Sequence, residues 1–236
     1  MIKKTLKRIL NKILYNDQDK PEVRLLYYFR NDLKDFKTVF DIGTYHGNFV
    51  DLLLSKNNDL NVHCFEPTAD TFRFLSEKYK EKKNIVLNNV AVSNYKGESE
   101  FNINSYSETN SLLESSTLNN DIDQLTANIS KQKVNIISLT EYIENYNIDE
   151  VDLIKIDSQG NTYYIIEGLR DKLLNKKIKY LYVEVEFIEI YKNEKLFSEV
   201  NYLLDKCGYV IIDIFNLNYI NNKLAWCDVL YSKNNA

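Results

Sequence analysis

From residue 37 onward, short continuous apolar runs alternate with longer stretches whose apolar residues recur every three or four positions. The runs fall at 38–42, 60–65, 84–90, 151–157 and 178–187, and stretches such as Val62-His63-Cys64-Phe65 and Ile85-Val86-Leu87 are continuous rather than alternating. They read as strands of a sheet covered on both faces. Between them, 47–56 and 68–81 carry helical periodicity, as do the segments bearing Tyr163, Ile166, Leu169 and Leu173 and, later, Leu196, Val200 and Leu203. Two final runs, 209–216 and 224–232, flank Asn221 and Asn222, a turn pair that closes an antiparallel hairpin. The order predicts an α/β chain: a mostly parallel, seven-stranded Rossmann-like sheet with an antiparallel C-terminal hairpin and helices on both faces.

Three regions depart from that rhythm. Residues 1–15 place Ile2, Leu6, Ile9, Leu10, Ile13 and Leu14 on one helical face, ringed by Lys3, Lys4, Lys7, Arg8 and Lys12. Such a helix suits peripheral contact with an anionic membrane; more often its stripe docks on its own domain or on the second subunit of a homodimer. A second helix starts near Pro21, a good first-turn residue, and is expected to reach Phe36. The chain thus divides into an N-terminal helical extension, 1–36, and a main domain, 37–236. Within that domain, 97–104 reads as a small hairpin strand and 134–137 as β structure. The intervening 105–131, rich in Ser, Thr, Asn and Asp, reads as a lid or acceptor loop. Ser138 with Glu141 predicts a capping box for a short helix.

Composition narrows the partners. With 236 residues, 44% apolar and 13% aromatic, the chain can bury one large core, and a net charge of −4 gives no general attraction to nucleic acid. Cys64, Cys207 and Cys227 are scattered without a C-x-x-C pair, as expected of buried thiols in a reducing cytoplasm. No apolar run approaches the ~18 residues of a membrane span. Six Gly and two Pro beside many Asn, Lys and Ile suit an A/T-rich bacterial genome.

The candidate chemistry starts at TVFDIGTYHG, residues 38–47, a strand, a tight turn and a helix start. Gly43 and Gly47 permit backbone conformations closed to other residues and bring the main chain close to a ligand. At the end of the second run, Glu66 stands where an acidic residue grips ribose hydroxyls in nucleotide-binding sheets. Neither G-x-G-x-x-G nor a P-loop ending is present, so nothing is set out to hold a pyrophosphate. A nucleoside without phosphates, held by Asp41, Gly43, Gly47 and Glu66 with Thr44 and Pro67 beside them, suggests S-adenosylmethionine.

DIGTYHGNF, CFEPTADTF, NVAVSNYKGESEF, SLTEYIE, VDLIKIDSQG, YVEVE and CDVLYS follow in that order and spacing. Across residues 37–232 the chain therefore resembles the FkbM-type methyltransferases. The resemblance implies a class I methyltransferase fold, S-adenosylmethionine as donor, and a hydroxyl acceptor on a sugar, glycan or polyketide. Carried over by position, Asp41, Gly43 and Gly47 would cradle the methionine and ribose, Glu66 would bind the ribose, and Asn89, Ala91 and Ser93 would border the adenine. Ser111 with Leu112 matches a pair in the family's variable stretch. Asp157 matches the aspartate of its K-I-D-x-E-G signature, whereas Gln159 and Thr162 replace acidic residues, which raises the rival reading of a donor-binding protein without transfer.

Asp157, at the end of the fourth parallel run, is the expected general base for a hydroxyl acceptor. Lys155 lies on the same strand face, as Glu184 and Glu186 share theirs on the next strand, so a Lys155 pair with Glu184 or Glu186 is expected to orient Asp157. His46 sits in the glycine turn and is expected to face the pocket. Gln159, Glu184, Glu186 and Ser111 are candidate acceptor contacts. No ligand spacing calls for a metal.

Overall fold

The structure is a computed structural model and describes residues 21–116, 126–175 and 177–234. Its strands are β1 (Thr38–Ile42), β2 (Asn61–Phe65), β3 (Ile85–Asn88), β4 (Ala91–Ser93), β5 (Gly97–Asn104) and β6 (Asn128–Ser138). They continue with β7 (Val151–Ile156), β8 (Ile178–Glu186), β9 (Tyr209–Ile220) and β10 (Lys223–Lys233). The helices are α1 (Pro21–Tyr28), α2 (Asn48–Leu54), α3 (Ala69–Lys78), α4 (Leu139–Asn145), α5 (Thr162–Gly168), α6 (Arg170–Leu174) and α7 (Phe197–Lys206).

Seven strands form the main sheet in the order β3-β2-β1-β7-β8-β10-β9. The first five pair in parallel, and β10 inserts antiparallel between β8 and β9. The turn joining β9 to β10 uses Asn221 and Asn222 at φ 48° and 62°, two successive left-handed residues of the kind that match hairpin twist.

Strand alternation sorts the core into two layers. Phe40, Ile42, Ile154 and Ile156 point to one face and pack with Leu139, Ile165, Ile166, Val200 and Leu204 from α4, α5 and α7. Val39, Val62 and Leu153 point to the other, against Leu25 of α1 and Phe29 just after it, Phe49, Val50 and Leu53 of α2 and Leu75 of α3. Each such buried side chain stabilises the fold by roughly 1.5–3 kcal/mol. On this second face the apolar rows run out at the carboxyl ends of the strands. Asp41, Lys155 and Asp228 occupy positions that continue the rows of Val39, Leu153 and Leu230. The site lies there.

Three local expectations need correction. The helix from Pro21 stops at Tyr28, and Leu33–Asp35 is a separate 3-10 turn; Asn31 and Asp32 supply turn chemistry between them. Ser138 does stand at the N-cap of α4, but its hydroxyl makes no capping bond. The polar stretch also hides a long strand, because β6 begins at Asn128 and pairs antiparallel with β5. Its first half is exposed on both faces and carries no apolar signal. Lys131–Glu100 at 2.9 Å and Lys133–Glu98 at 2.5 Å pair across the two strands instead. With β4, these strands make a small second sheet in the order β4-β6-β5 around Ala91, Phe101, Val134 and Ile136. Residues 1–15, and so the membrane or subunit contact expected of them, lie outside the described residues, as does 117–125 of the polar stretch.

Candidate functional site

The carboxyl ends of β1, β2 and β7 and the loop after β3 enclose a cavity of ≈ 250 Å³. Gly43, Thr44, Tyr45 and His46 line it from the first turn, Glu66 and Pro67 from the second, Val90, Ala91 and Val92 from the third. Lys155, Asp157, Gln159 and Asn161 line it from the end of β7 onward, and Ser107, Glu108, Asn110 and Leu112 from the polar strap.

Gly43 is required by the chain's own packing as well as by its φ of +76°. A Cβ there would lie 1.9 Å from the Asp157 carbonyl oxygen. The missing side chain lets the turns after β1 and β7 close together, with Asp157 N–H donating to Ile42 O at 3.0 Å. Gly47, at φ +77°, makes room for Tyr79, whose hydroxyl would be 2.3 Å from a Cβ. Thr44 Oγ1 donates to Asp41 O at 2.8 Å and so closes β1.

Glu66 is 5% exposed and held by main chain. Its Oε2 accepts from Tyr45 N–H at 3.0 Å and its Oε1 from Thr68 N–H at 2.8 Å. Burial raises its pKa, and these two N–H groups work against the shift. The Thr68 side chain also bonds the carboxylate and works in the same sense. Asn89 and Ser93 do not line the cavity. Asn89 Nδ2 instead donates to Glu66 O at 2.9 Å and Pro67 O at 3.1 Å, bracing the second turn, and Ser93 is buried behind it.

Side chains build the opposite wall. The strand register sets Asp41 beside Lys155, Lys155 beside Tyr182, and Glu184 beside Asp228. Lys155, 11% exposed, places Nζ 3.5 Å from Asp41 Oδ1 and 3.4 Å from Asp157 Oδ2. Burial alone would discharge the ammonium; the carboxylates of Asp157, Asp41, Asp228 and Glu184 outweigh it and raise its pKa. The expected pair of Lys155 with Glu184 or Glu186 is therefore replaced by one with Asp41 and Asp157. The register explains this, since Tyr182 sits level with Lys155 and both glutamates lie further along β8.

Asp41 is fully buried, and neither carboxylate oxygen has a hydrogen-bond partner. Burial raises its pKa against the pull of Lys155. Asp157 differs: its side chain is 40% exposed at the cavity. Behind it, burial and then Asp157 push Glu184 well above the carboxylate range, and the same two causes bring Asp228 to about 7. Glu186, Glu184 and Ser111 lie behind the lining, Ser111 donating to Gln159 O at 2.6 Å. Thr162 donates to Glu184 O at 3.0 Å, so this position caps a strand carbonyl. At the mouth, the exposed His46 ring stacks on Tyr45 at 4.0 Å and meets Phe74 edge-on at 5.1 Å. His63, the other histidine, is a core residue bonded to the Tyr142 hydroxyl at 2.8 Å, with burial lowering its pKa to about 4.

Sequence reasoning missed Asn161 and Phe101 on the lining, whereas Asn110 and Leu112 belong to the 105–131 stretch expected to cover the site. Asn161 Nδ2 donates to Val92 O at 2.7 Å and ties the β7 turn to the small sheet. Phe101 comes from the small sheet, and no local pattern announced it.

Among the described residues, Lys155 is the one lysine or arginine on the lining, and two carboxylates already hold it. A phosphate chain has no receptor here. The carboxylate of Glu66 suits vicinal hydroxyls, and Val90, Ala91, Val92 and Phe101 offer an apolar slot for a base; Asp41, paired with Lys155 and fully buried, does not line the cavity. The residues therefore fit a sulfonium nucleoside. Among the described residues no group of three or more His, Cys, Asp or Glu is set to hold a metal ion.

Sheet order, hairpin and cavity define the class I fold of S-adenosylmethionine-dependent methyltransferases. Solved structures share it: an rRNA methylase from Streptococcus thermophilus superposes with a TM-score of 0.50 at 15% identity, over 91% of this chain and 96% of that one. A precorrin-6y C5,15-methyltransferase from Geobacter metallireducens also gives 0.50, at 11% identity over 91% and 89%. So does the magnesium protoporphyrin IX methyltransferase of Synechocystis PCC 6803 with bound SAM, at 8% identity over 90% and 77%. No curated protein matches the chain by sequence. The methyltransferase FkbM domain matches residues 41–211, well over half of the chain, which belongs to that family. Its cofactor is S-adenosylmethionine.

Proposed function

We propose that this methyltransferase moves the methyl group of S-adenosylmethionine to a hydroxyl oxygen of a sugar or glycan, with Asp157 as general base. Bound S-adenosylmethionine supplies a methyl group already activated on a sulfonium. Glu66 holds the ribose hydroxyls, the turn from Gly43 to Gly47 holds the methionine end, and Ala91 with its neighbours covers the adenine. A sugar hydroxyl is a weak nucleophile near neutral pH. Asp157, at the cavity and partly open to solvent, accepts its proton as attack proceeds, an effect worth ~10²–10⁴-fold. Lys155 stays protonated and holds Asp157 from behind.

The observation that carries this reading is that, of the cluster Asp41, Asp157, Glu184, Glu186 and Asp228, Asp157 is the member that lines the cavity, its side chain 40% exposed. The aromatic group of Tyr45, His46 and Phe74 at the mouth gives faces on which a pyranose ring can rest. Three free, buried cysteines fit a reducing cytoplasm, where precursors of bacterial surface polysaccharides are available.

The test is to incubate the protein with S-adenosylmethionine and a panel of methyl glycosides and glycan fragments, and to read product masses. A gain of one methylene on a sugar, abolished in Asp157→Asn, supports the assignment. Methylation confined to nitrogen or carbon nucleophiles would replace it.

A further inference from the structure

One side chain ties together every part of the wall facing the base. Gln159 Nε2 donates to Asp157 Oδ1 and to Glu184 Oε1, both at 2.9 Å. Its Oε1 accepts from the Tyr191 hydroxyl at 2.9 Å, and that hydroxyl is also 3.1 Å from Thr109 O in the strap. Its carbonyl takes the Ser111 hydroxyl at 2.6 Å. In this orientation the amide gives its Nε2 hydrogens to two carboxyl oxygens and takes the tyrosine proton on Oε1.

The backbone is bent to deliver this amide. Gln159 has φ 53°, and Gly160 follows at φ +88° with Tyr191 and Glu194 packed where a Cβ would stand. A left-handed residue other than glycine costs roughly 1–2 kcal/mol, which the surrounding bonds must offset.

We infer that Gln159 is a positioning residue: its amide fixes the Asp157 carboxylate toward the cavity, separates it from Glu184, and links both to the strap over the site. The inference deepens the base reading of Asp157 and rests on it. The charged groups facing Asp157 are Lys155 and Asp41 from β7 and β1, Glu184 and Glu186 from β8, and Asp228 from β10. That set is one cation among four acids. Gln159 adds a neutral donor without adding another charge to that set, which a lysine or glutamate at this position would do. Donation to a carboxylate favours its ionised form, so removal of the amide raises the proton affinity of Asp157.

The experiment labels aspartate carboxyl carbons in the full-length protein and follows Asp157 by NMR titration, with Asp157→Asn assigning the resonance. In Gln159→Leu the midpoint is expected to rise by roughly one pH unit, ~10-fold in proton affinity. Gln159→Asn withdraws the amide by one methylene, gives the same direction of shift, and serves if leucine disturbs the fold. Hydrogen exchange provides a second readout, since Tyr191→Phe, which leaves Nε2 in place, is expected to speed exchange across 105–116 while the Asp157 midpoint stays near wild type. An unchanged midpoint in folded Gln159→Leu or Gln159→Asn would overturn the inference. This outcome is separate from failure of the base reading, which would show as undiminished turnover in Asp157→Asn.

Discussion

Glu66 and Asp157 are two carboxylates across one cavity, fixed in opposite ways. Glu66 is 5% exposed, and main-chain N–H groups take one bond on each oxygen. The Asp157 side chain is 40% exposed, and side chains, Lys155 and Gln159, hold it. The main chain cannot be rearranged by substitution, so the Glu66 wall suits a cofactor that is the same in every turnover. A wall made of side chains can be retuned one residue at a time, which suits an acceptor that varies between relatives with the same donor. On the proposed function, donor and acceptor recognition divide between backbone and side chains.

The contrast can be broken most severely at the seam between the two walls. Gly43→Ala drives a Cβ into the Asp157 carbonyl in a left-handed conformation. It is expected to cost roughly 3 kcal/mol or more in urea denaturation, and to abolish donor binding by calorimetry. Asp157→Asn should divide the walls cleanly: turnover falls ~10²–10⁴-fold while affinity for S-adenosylhomocysteine stays within about threefold. Glu66→Ala should do the reverse, weakening that affinity by ~10–100-fold, about 1.4–2.7 kcal/mol, with much less effect on turnover at saturating donor.

A smaller effect comes from the acid cluster behind Asp157. The folded-state pKa of Asp228 is raised from 3.8 to about 7, so the folded protein keeps a proton that the unfolded chain gives up. The stability this provides is complete below about pH 4 and is lost as pH rises toward 7. Asp228→Asn removes the slope. Its melting temperature should exceed wild type at pH 8 by an amount corresponding to roughly 2 kcal/mol, a gap that closes by pH 4. His63 acts in the opposite sense, since its depressed pKa of about 4 makes stability fall as pH drops below 6.5; the comparison must be made against wild type at each pH. The smallest effect is expected at the strap. Tyr45→Phe removes the 2.9 Å contact with Ser107 and should change donor affinity by no more than a few-fold.

The same division decides what could be read from the sequence. Strand order, the hairpin and the meeting of Gly43 and Glu66 at one cavity were legible, because continuous apolar runs, paired asparagines and a glycine turn followed by an acidic residue are local signals. Why Gly43 is glycine was only half legible: its closest neighbour, the Asp157 carbonyl, is 114 residues away in sequence. The acceptor wall was misread at Lys155, since its partners depend on the β1–β7–β8 register, which no spacing within one strand reveals. The strand β6 went partly unseen because its first half pairs through backbone and Lys–Glu contacts and presents no apolar face.

The most direct measurement is a crystal structure of the protein with S-adenosylhomocysteine, read at Glu66. The account predicts both ribose hydroxyls within hydrogen-bond distance of the Glu66 carboxylate, the adenine beside Ala91, and the sulfur on the Asp157 side of the cavity. A nucleoside seated elsewhere, or a Glu66 carboxylate turned from the ribose with its two backbone bonds intact, would contradict it.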